Sequence, residues 1–270
     1  MYWDLNDAAV AGDIDLVNKC LEKGANNYDT AMLQAAKGGH MSIVQLMLDN
    51  GADNYNGAMN FAAYGGKIDI VKLMLKLGAN DYNSAMNYAA YKGHIAIVQL
   101  MLDLGATEYN KAMKTASNWG YIDIVKLMLD LGANNYNESM TNAAFNGHID
   151  IVQLMLDFGA YTLNDALIYA AQGGFTNIVR LMLDKGANDY NEAMVFAAQK
   201  GSMDIVRLML DLGATSYDKS MALAAAKGHT SIVELMLEKG ATSYDWALNN
   251  ASNPDLIALL KIFKDGKIKL

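Results

Sequence analysis

Apolar and polar positions recur along this chain with a period of 27 residues. The clearest marker of the period is the dipeptide Gly-Ala, which recurs nine times at steps of 27 residues without slippage. Its glycines are Gly24, Gly51, Gly78, Gly105, Gly132, Gly159, Gly186, Gly213 and Gly240. A period of roughly 20–50 residues is typical of a stacked array, in which each unit contacts only its neighbours. The pattern therefore predicts one small unit copied along the chain, without a single central core.

Each copy predicts two short helices. In the copy that reads GANDYNSAMNYAAYKGHIAIVQLMLDL, small apolar residues from Ala85 to Ala90 recur at helical spacing and predict a first helix that ends at Gly93. A second apolar stripe from Ile97 to Leu102 predicts a second helix, and the glycine of the next Gly-Ala predicts its left-handed C-terminal stop. Two helices of this length are not stable alone in water, so stacking must supply the stability.

A polar residue stands at the expected start of every first helix. Asn83 holds this position in the copy quoted above, and the equivalent residue is always Asn or Asp. These residues are preferred N-caps because the side-chain oxygen accepts a hydrogen bond from an unpaired backbone N–H. The residues predicted to cap the first helices are Asp29, Asn56, Asn83, Asn110, Asn137, Asn164, Asn191, Asp218 and Asp245.

The sizes of the apolar side chains predict the shape of the stack. Paired alanines, such as Ala89 and Ala90, allow neighbouring first helices to approach closely, whereas bulky Leu and Met side chains separate the second helices. A stack with one narrow and one wide layer curves, with the first helices on the concave side. The predicted fold is all-α: a curved α-solenoid of about ten stacked helix-turn-helix repeats.

The uninterrupted period also predicts the domain organisation. No linker or low-complexity segment breaks it, so we predict a single repeat domain over residues 1–270. The first copy, residues 1–23, is truncated and is expected to be an N-terminal cap, and residues 24–239 hold eight internal repeats. The last copy, residues 240–270, lacks the Gly-His turn, contains the only proline, Pro254, and is expected to be a C-terminal cap.

The run from the paired alanines through the second helix resembles an ankyrin repeat. AAKGGHMSIVQLMLDNGAD at residues 35–53 carries the resemblance, which recurs along nearly the whole chain. Ankyrin units have about 33 residues and begin with Thr-Pro-Leu-His, whereas this unit is shorter and has, for instance, Ser84-Ala85-Met86-Asn87. The connector GANDYN is too short for the family's β-hairpin finger, so we expect ankyrin-like repeats without fingers. The resemblance implies a protein-binding scaffold without catalytic activity.

Charge and cysteine content restrict the partners and the location. The chain has 21 Lys and Arg against 29 Asp and Glu, a net charge of -8, which argues against nucleic-acid binding and favours a monomer. Charges interrupt every apolar stretch, so no membrane span is expected. Cys20 is the lone cysteine and fits the reducing cytoplasm. Finger-less, Asn- and Tyr-rich, proline-poor copies resemble those of large AT-rich viral genomes, and a viral source would place the protein in the host cytoplasm.

Methionine and histidine can bind metals or cofactors, but here they recur at fixed positions of the repeat, which favours a structural role. Most of the 18 methionines fill two columns, which is the pattern of a core and not of a metal or cofactor site. The histidines each follow the glycine of the interhelical turn, where a structural role is predicted. They stand two or three repeats apart, too far to share a metal whose ligands lie about 2 Å away. They are His40, His94, His148 and His229. No phosphate loop, nucleophile elbow or zinc motif is present, so we predict no enzyme activity, no metal and no cofactor.

Residues that vary within the repeated frame mark the candidate binding surface. Aromatic side chains concentrate beside the paired alanines in the middle of the array, with polar or small residues at its ends. A central aromatic patch with a polar rim is typical of interface hot spots. Four candidates follow the alanines: Tyr64, Tyr91, Trp119 and Phe145. Four precede them, for which half-buried packing between repeats is the alternative: Phe61, Tyr88, Tyr169 and Phe196.

Three functions remain open from the sequence. The first is a non-enzymatic protein–protein interaction scaffold that binds a protein or peptide partner on the concave first-helix surface. The second is a structural or engineered consensus-like solenoid without an evolved ligand, which regular repeats would suit, although irregularities such as Leu163 argue against it. The third is capture of a small molecule or peptide tail in the aromatic groove. It cannot be distinguished from the first until a ligand is known.

Overall fold

A computed structural model describes residues 4–251 and 253–266. The chain divides into two compact units, Met1–Asn135 and Tyr136–Leu270. Within the described ranges each unit holds ten α-helices, and no strand occurs. This confirms the all-α prediction of helix-turn-helix repeats without β-hairpin fingers. The single repeat domain over residues 1–270, with its two caps, stays a prediction.

First and second helices alternate along the chain. In the first unit the first helices are α1 (Leu5–Ala11), α3 (Tyr28–Gly38), α5 (Tyr55–Tyr64), α7 (Tyr82–Lys92) and α9 (Tyr109–Trp119). Its second helices are α2 (Ile14–Glu22), α4 (Met41–Asp49), α6 (Ile68–Lys76), α8 (Ile95–Asp103) and α10 (Ile122–Asp130). In the second unit the first helices are α11 (Tyr136–Asn146), α13 (Leu163–Gly173), α15 (Tyr190–Lys200), α17 (Tyr217–Lys227) and α19 (Tyr244–Asn250). Its second helices are α12 (Ile149–Asp157), α14 (Thr176–Asp184), α16 (Met203–Asp211), α18 (Thr230–Glu238) and α20 (Pro254–Lys264).

The core of each unit is built from the repeated apolar columns. The paired alanines and both methionine columns are fully buried, as Ala89, Met86 and Met101 illustrate. Small side chains let each first helix pack along the first helix of the next repeat in its unit, whereas successive second helices make few contacts. The methionines of these two columns are therefore core residues, as predicted. The positions beside the alanines are among those that this buried frame leaves accessible on the first helices, together with first-turn residues such as Lys111.

The turn between the two helices of a repeat needs glycine for two reasons. Gly93 ends α7 with a φ of 77°, a left-handed conformation that other residues rarely adopt. A Cβ atom at this position would also lie 2.4 Å from Cε1 of Tyr121, the turn residue of the next repeat. The turn thus ends a helix and packs against the following repeat at the same point.

The predicted N-cap role of the Asn/Asp column is wrong. From α3 onward, each first helix begins one residue before this column, so Asn83 is the second residue of α7. The N-cap is Asp81, whose carboxylate accepts a hydrogen bond from the Ser84 N–H at 3.2 Å. The N-cap residue varies among the repeats, and its side chain makes a capping hydrogen bond in α5, α7 and α15 but not in α3, α9, α13, α17 or α19.

The Asn/Asp column instead joins neighbouring repeats. The Asn83 Oδ1 accepts hydrogen bonds from the backbone N–H groups of Thr107 (2.7 Å) and Glu108 (3.0 Å), which lie in the connector of the next repeat. Both bonds recur throughout each unit, so every copy needs a short side chain with an oxygen acceptor. The acceptors are Asp29, Asn56, Asn83, Asn110, Asn137, Asn164, Asn191 and Asp218.

Removal of this acceptor is expected to loosen one repeat from the next. Asn83→Ala deletes two hydrogen bonds to exposed N–H groups, and we expect the free energy of unfolding to fall by about 1–2 kcal/mol. Asn83→Asp is the matched control, because Asp29 and Asp218 make the same two bonds in other repeats. Urea denaturation followed by circular dichroism measures both variants. Equal losses would contradict the bridging role.

Candidate functional site

The predicted residues of the first unit lie on three neighbouring first helices. Phe61 and Tyr64 lie on α5, Tyr88 and Tyr91 lie on α7, and Trp119 is the last residue of α9. Tyr88 and Trp119 are 41% and 45% exposed, and the other three side chains are half-buried. Exposure therefore does not separate the residues that follow the alanines from those that precede them, since Tyr88 precedes the alanines and is exposed to solvent.

Four of these rings form one aromatic cluster, which consists of Tyr64, Tyr88, Tyr91 and Trp119. Tyr64 and Tyr91 stack with ring centroids 5.7 Å apart and planes at 24°. Tyr91 contacts Trp119 at a centroid distance of 4.7 Å, and Tyr64 meets Tyr88 edge-on at 6.4 Å. Each such pair contributes about 0.5–1.5 kcal/mol beyond its buried area. The rings therefore hold one another in place while part of their surface stays open to solvent.

Two lysines, which the aromatic columns alone do not predict, lie over this cluster. The Lys92 Nζ is 4.8 Å from the ring centroid of Tyr64 and 5.2 Å from that of Tyr91. The Lys37 Nζ is 5.0 Å from the Tyr64 centroid, and all three are cation–π distances. A hydrogen bond with the Tyr64 side chain raises the pKa of Lys92 and outweighs the lowering by desolvation. Their positions in the sequence could have identified them, because Lys37 directly follows an alanine pair and Lys92 stands one residue further along its repeat.

Residues of the interhelical turns hold the helix ends that carry the cluster. The His94 Nε2 lies 3.2 Å from the carbonyl oxygen of Tyr64, to which it donates in the Nε2-protonated tautomer. Tyr121 occupies the same turn position one repeat later, and its ring lies against Gly93 at the end of α7. Both contacts reach back from one repeat to the preceding one. The structural turn role predicted for the histidines is confirmed at His94.

The second unit carries the other three predicted residues. Phe145 on α11 and Tyr169 on α13 are 42% and 43% exposed, and their rings meet edge-on with centroids 6.3 Å apart. Phe196 on α15 is half-buried. This unit therefore has its own exposed aromatic pair, formed by residues from both predicted columns.

The chemistry available on these helices is aromatic surface and positive charge. Within residues 4–251 and 253–266, no three His, Cys, Asp or Glu side chains stand close enough together to hold a metal ion. Among the helices of that part of the chain, none is both long enough and apolar enough to cross a membrane. Aromatic and cationic groups at these positions suit recognition of another molecule.

Comparison with known families agrees with the repeat geometry. The family model described as "Ankyrin repeats (3 copies)" matches residues 5–84, 59–139, 113–192 and 140–220. These overlapping matches extend over most of the chain. The chain belongs to the ankyrin repeat family. Ankyrin repeats are typically non-catalytic modules that mediate protein–protein interaction, so this ankyrin repeat protein is, in general terms, an interaction scaffold.

Two further comparisons concern individual proteins. Among solved structures, this ankyrin repeat chain is similar to the human ASB11 ankyrin repeat domain, with 21% identity and a TM-score of 0.47. That similarity covers 59% of this chain and 85% of the ASB11 domain. The comparison with curated proteins found no match. The family assignment therefore rests on the sequence matches to the ankyrin repeat model.

Proposed function

We propose that this ankyrin repeat protein is a non-enzymatic scaffold whose partner, a protein or peptide, binds the first helices of the first unit at the aromatic cluster. The observation that carries the proposal is the open aromatic surface on adjacent helices. Tyr88 and Trp119 keep 41% and 45% of their surface exposed, although fully buried columns already anchor the same helices. Large exposed rings add little to the stability of such a frame, whereas interfaces use them.

The cluster also resembles the centre of an interface in its chemistry. Tyr and Trp are enriched among hot-spot residues, whose truncation typically costs about 2 kcal/mol or more of binding energy. Tyr64 and Tyr91 are held by mutual stacking and by Lys92, so they lose little conformational freedom when a partner binds. Polar side chains at equivalent positions, such as Gln34, would form the rim of the interface.

The remaining predicted residues are proposed as further contacts. Phe145 and Tyr169 offer an exposed pair on the first helices of the second unit, and Phe61 and Phe196 contribute their accessible edges. We propose the cytoplasm as the location and a monomer as the free state. The lone Cys20 and the net charge of -8 support these two proposals.

A solenoid without a ligand is the competing function, and the regular 27-residue spacing favours it. Affinity capture from a cell extract separates the two. The scaffold predicts one stoichiometric partner that the wild type retains and that a Tyr64→Ala/Tyr91→Ala variant loses. Tyr161→Ala is the control, because Tyr161 is 78% exposed but lies in a connector. Failure to retain any partner, or retention by the double variant, would favour the inert solenoid or another surface.

A further inference from the structure

Charged residues are distributed unequally over the repeats. The chain as a whole is acidic, with 29 Asp and Glu against 21 Lys and Arg. In the internal repeats, residues 24–239, the two positions before and the two after each alanine pair or its equivalent hold no acid. The charged residues at these positions are Lys37, Lys92, Lys114, Lys200 and Lys227. These positions on the first helices therefore carry a charge opposite in sign to that of the whole chain.

Two of these lysines place their charges together at the aromatic cluster. Both Nζ atoms lie over the Tyr64 ring, at 5.0 Å for Lys37 and 4.8 Å for Lys92. The two ammonium groups are therefore within about 10 Å of each other, the sum of these distances, which is about one Debye length at 0.1 M salt. Neither forms an ion pair with a carboxylate in the described part of the chain. Both charges remain available to an anionic group from outside.

From this arrangement we infer that the aromatic cluster recognises an acidic protein segment. Two carboxylates of the partner would contact Lys37 and Lys92, and an apolar side chain beside them would pack on Tyr91 and Trp119. An extended chain advances about 3.3 Å per residue, so the two acids should stand no more than about three residues apart. The inference rests on the proposed function and specifies the chemistry of its partner.

Local charge, and not the net charge, is expected to decide this preference. The Debye length is about 8 Å at physiological salt, so most of the acidic side chains elsewhere on the chain are screened from a ligand at the cluster. The net charge of -8 alone would favour a basic partner, and the two hypotheses therefore predict opposite outcomes. A nucleic acid is disfavoured, because its affinity depends on many phosphate contacts and, among the described residues, only two lysines lie over these rings.

Selection from a library of short random peptides displayed on phage tests the inference with the full chain at physiological salt. Peptides enriched on the wild type should be net acidic, with two acids no more than about three residues apart and an adjacent apolar residue. Their affinity should fall about ten-fold for Lys37→Glu/Lys92→Glu, which corresponds to about 1.4 kcal/mol. Lys200→Glu/Lys227→Glu, on the second unit, is the charge-matched control and should leave the affinity unchanged. Urea denaturation verifies that each variant is folded.

The possible outcomes separate this inference from the proposed function. Neutral or basic peptides that bind the wild type and are lost with Tyr64→Ala/Tyr91→Ala would overturn the acidic preference and leave the scaffold intact. Acidic peptides that bind both lysine variants equally would also overturn it. No tyrosine-dependent peptide at all would overturn both proposals. A labelled single-stranded oligonucleotide serves as a further probe, and lysine-dependent binding of it would overturn the assignment to a protein partner.

Discussion

Met86→Ala is expected to lower the free energy of unfolding by about 2–5 kcal/mol. Met86 lies on α7, is fully buried and belongs to a column of methionines between stacked first helices. Truncation removes the thioether and leaves a cavity that the helical neighbours cannot fill, so the lost transfer energy and the cost of the cavity add. Because each repeat is stabilised by its neighbours, the loss weakens contacts on both sides of the variant repeat.

Met41→Ala is the matched control for this prediction. Met41 is the first residue of α4 and is 39% exposed, so the same truncation should change the free energy of unfolding by only about 0.5 kcal/mol. Urea unfolding followed by far-ultraviolet circular dichroism measures both variants. If Met86→Ala costs no more than Met41→Ala, the methionine column does not form the core.

Tyr64→Ala combined with Tyr91→Ala is expected to weaken partner binding about 100-fold or more. Each tyrosine is expected to contribute like a hot-spot residue, at about 2 kcal/mol, and about 1.4 kcal/mol corresponds to a ten-fold change in affinity. The pair would contribute less than the sum of its members, because the two rings stack on each other and on Lys92. Isothermal titration calorimetry with the captured partner measures the loss directly.

The same double variant should remain folded. Both rings are half-buried, and their truncation removes three ring pairs at about 0.5 kcal/mol each, the low end of the range because the cluster is partly open to solvent. We therefore expect the free energy of unfolding to fall by about 1.5 kcal/mol. Tyr161→Ala removes a ring that is 78% exposed and should alter neither binding nor stability. A loss of stability as large as that of Met86→Ala would identify Tyr64 and Tyr91 as packing residues.

The repeat frame could be predicted from the sequence because its physical causes are local and repeated. Helical spacing of Ala85, Met86 and Ala89 predicted α7, and all three are buried. Gly93 predicted the end of that helix and has the expected positive φ. The role of Asn83 could not be predicted, because an N-cap and a bridge to the next repeat both need a short oxygen acceptor. Only the position of the following connector distinguishes the two.

The sequence predicted the residues of the candidate site better than it predicted their contacts. Variation beside the alanines pointed to Tyr64, Tyr91 and Trp119, and the structure brings these three rings together. The position of Lys92 over two rings could not be predicted, because it depends on side-chain conformations that the sequence alone does not specify. The exposure of Tyr88 could not be predicted either, because the residues at the same repeat position include both exposed and half-buried aromatics.

Hydroxyl-radical footprinting of the protein with and without its captured partner tests the central claim most directly. The claim is that buried columns hold the repeats together and the variable aromatic residues bind. We predict that the partner protects Tyr88 and Trp119, which are exposed in the free protein, and leaves the oxidation of the connector residue Tyr161 unchanged. Unchanged oxidation of Tyr88 and Trp119, with protection elsewhere on the chain, would contradict the claim.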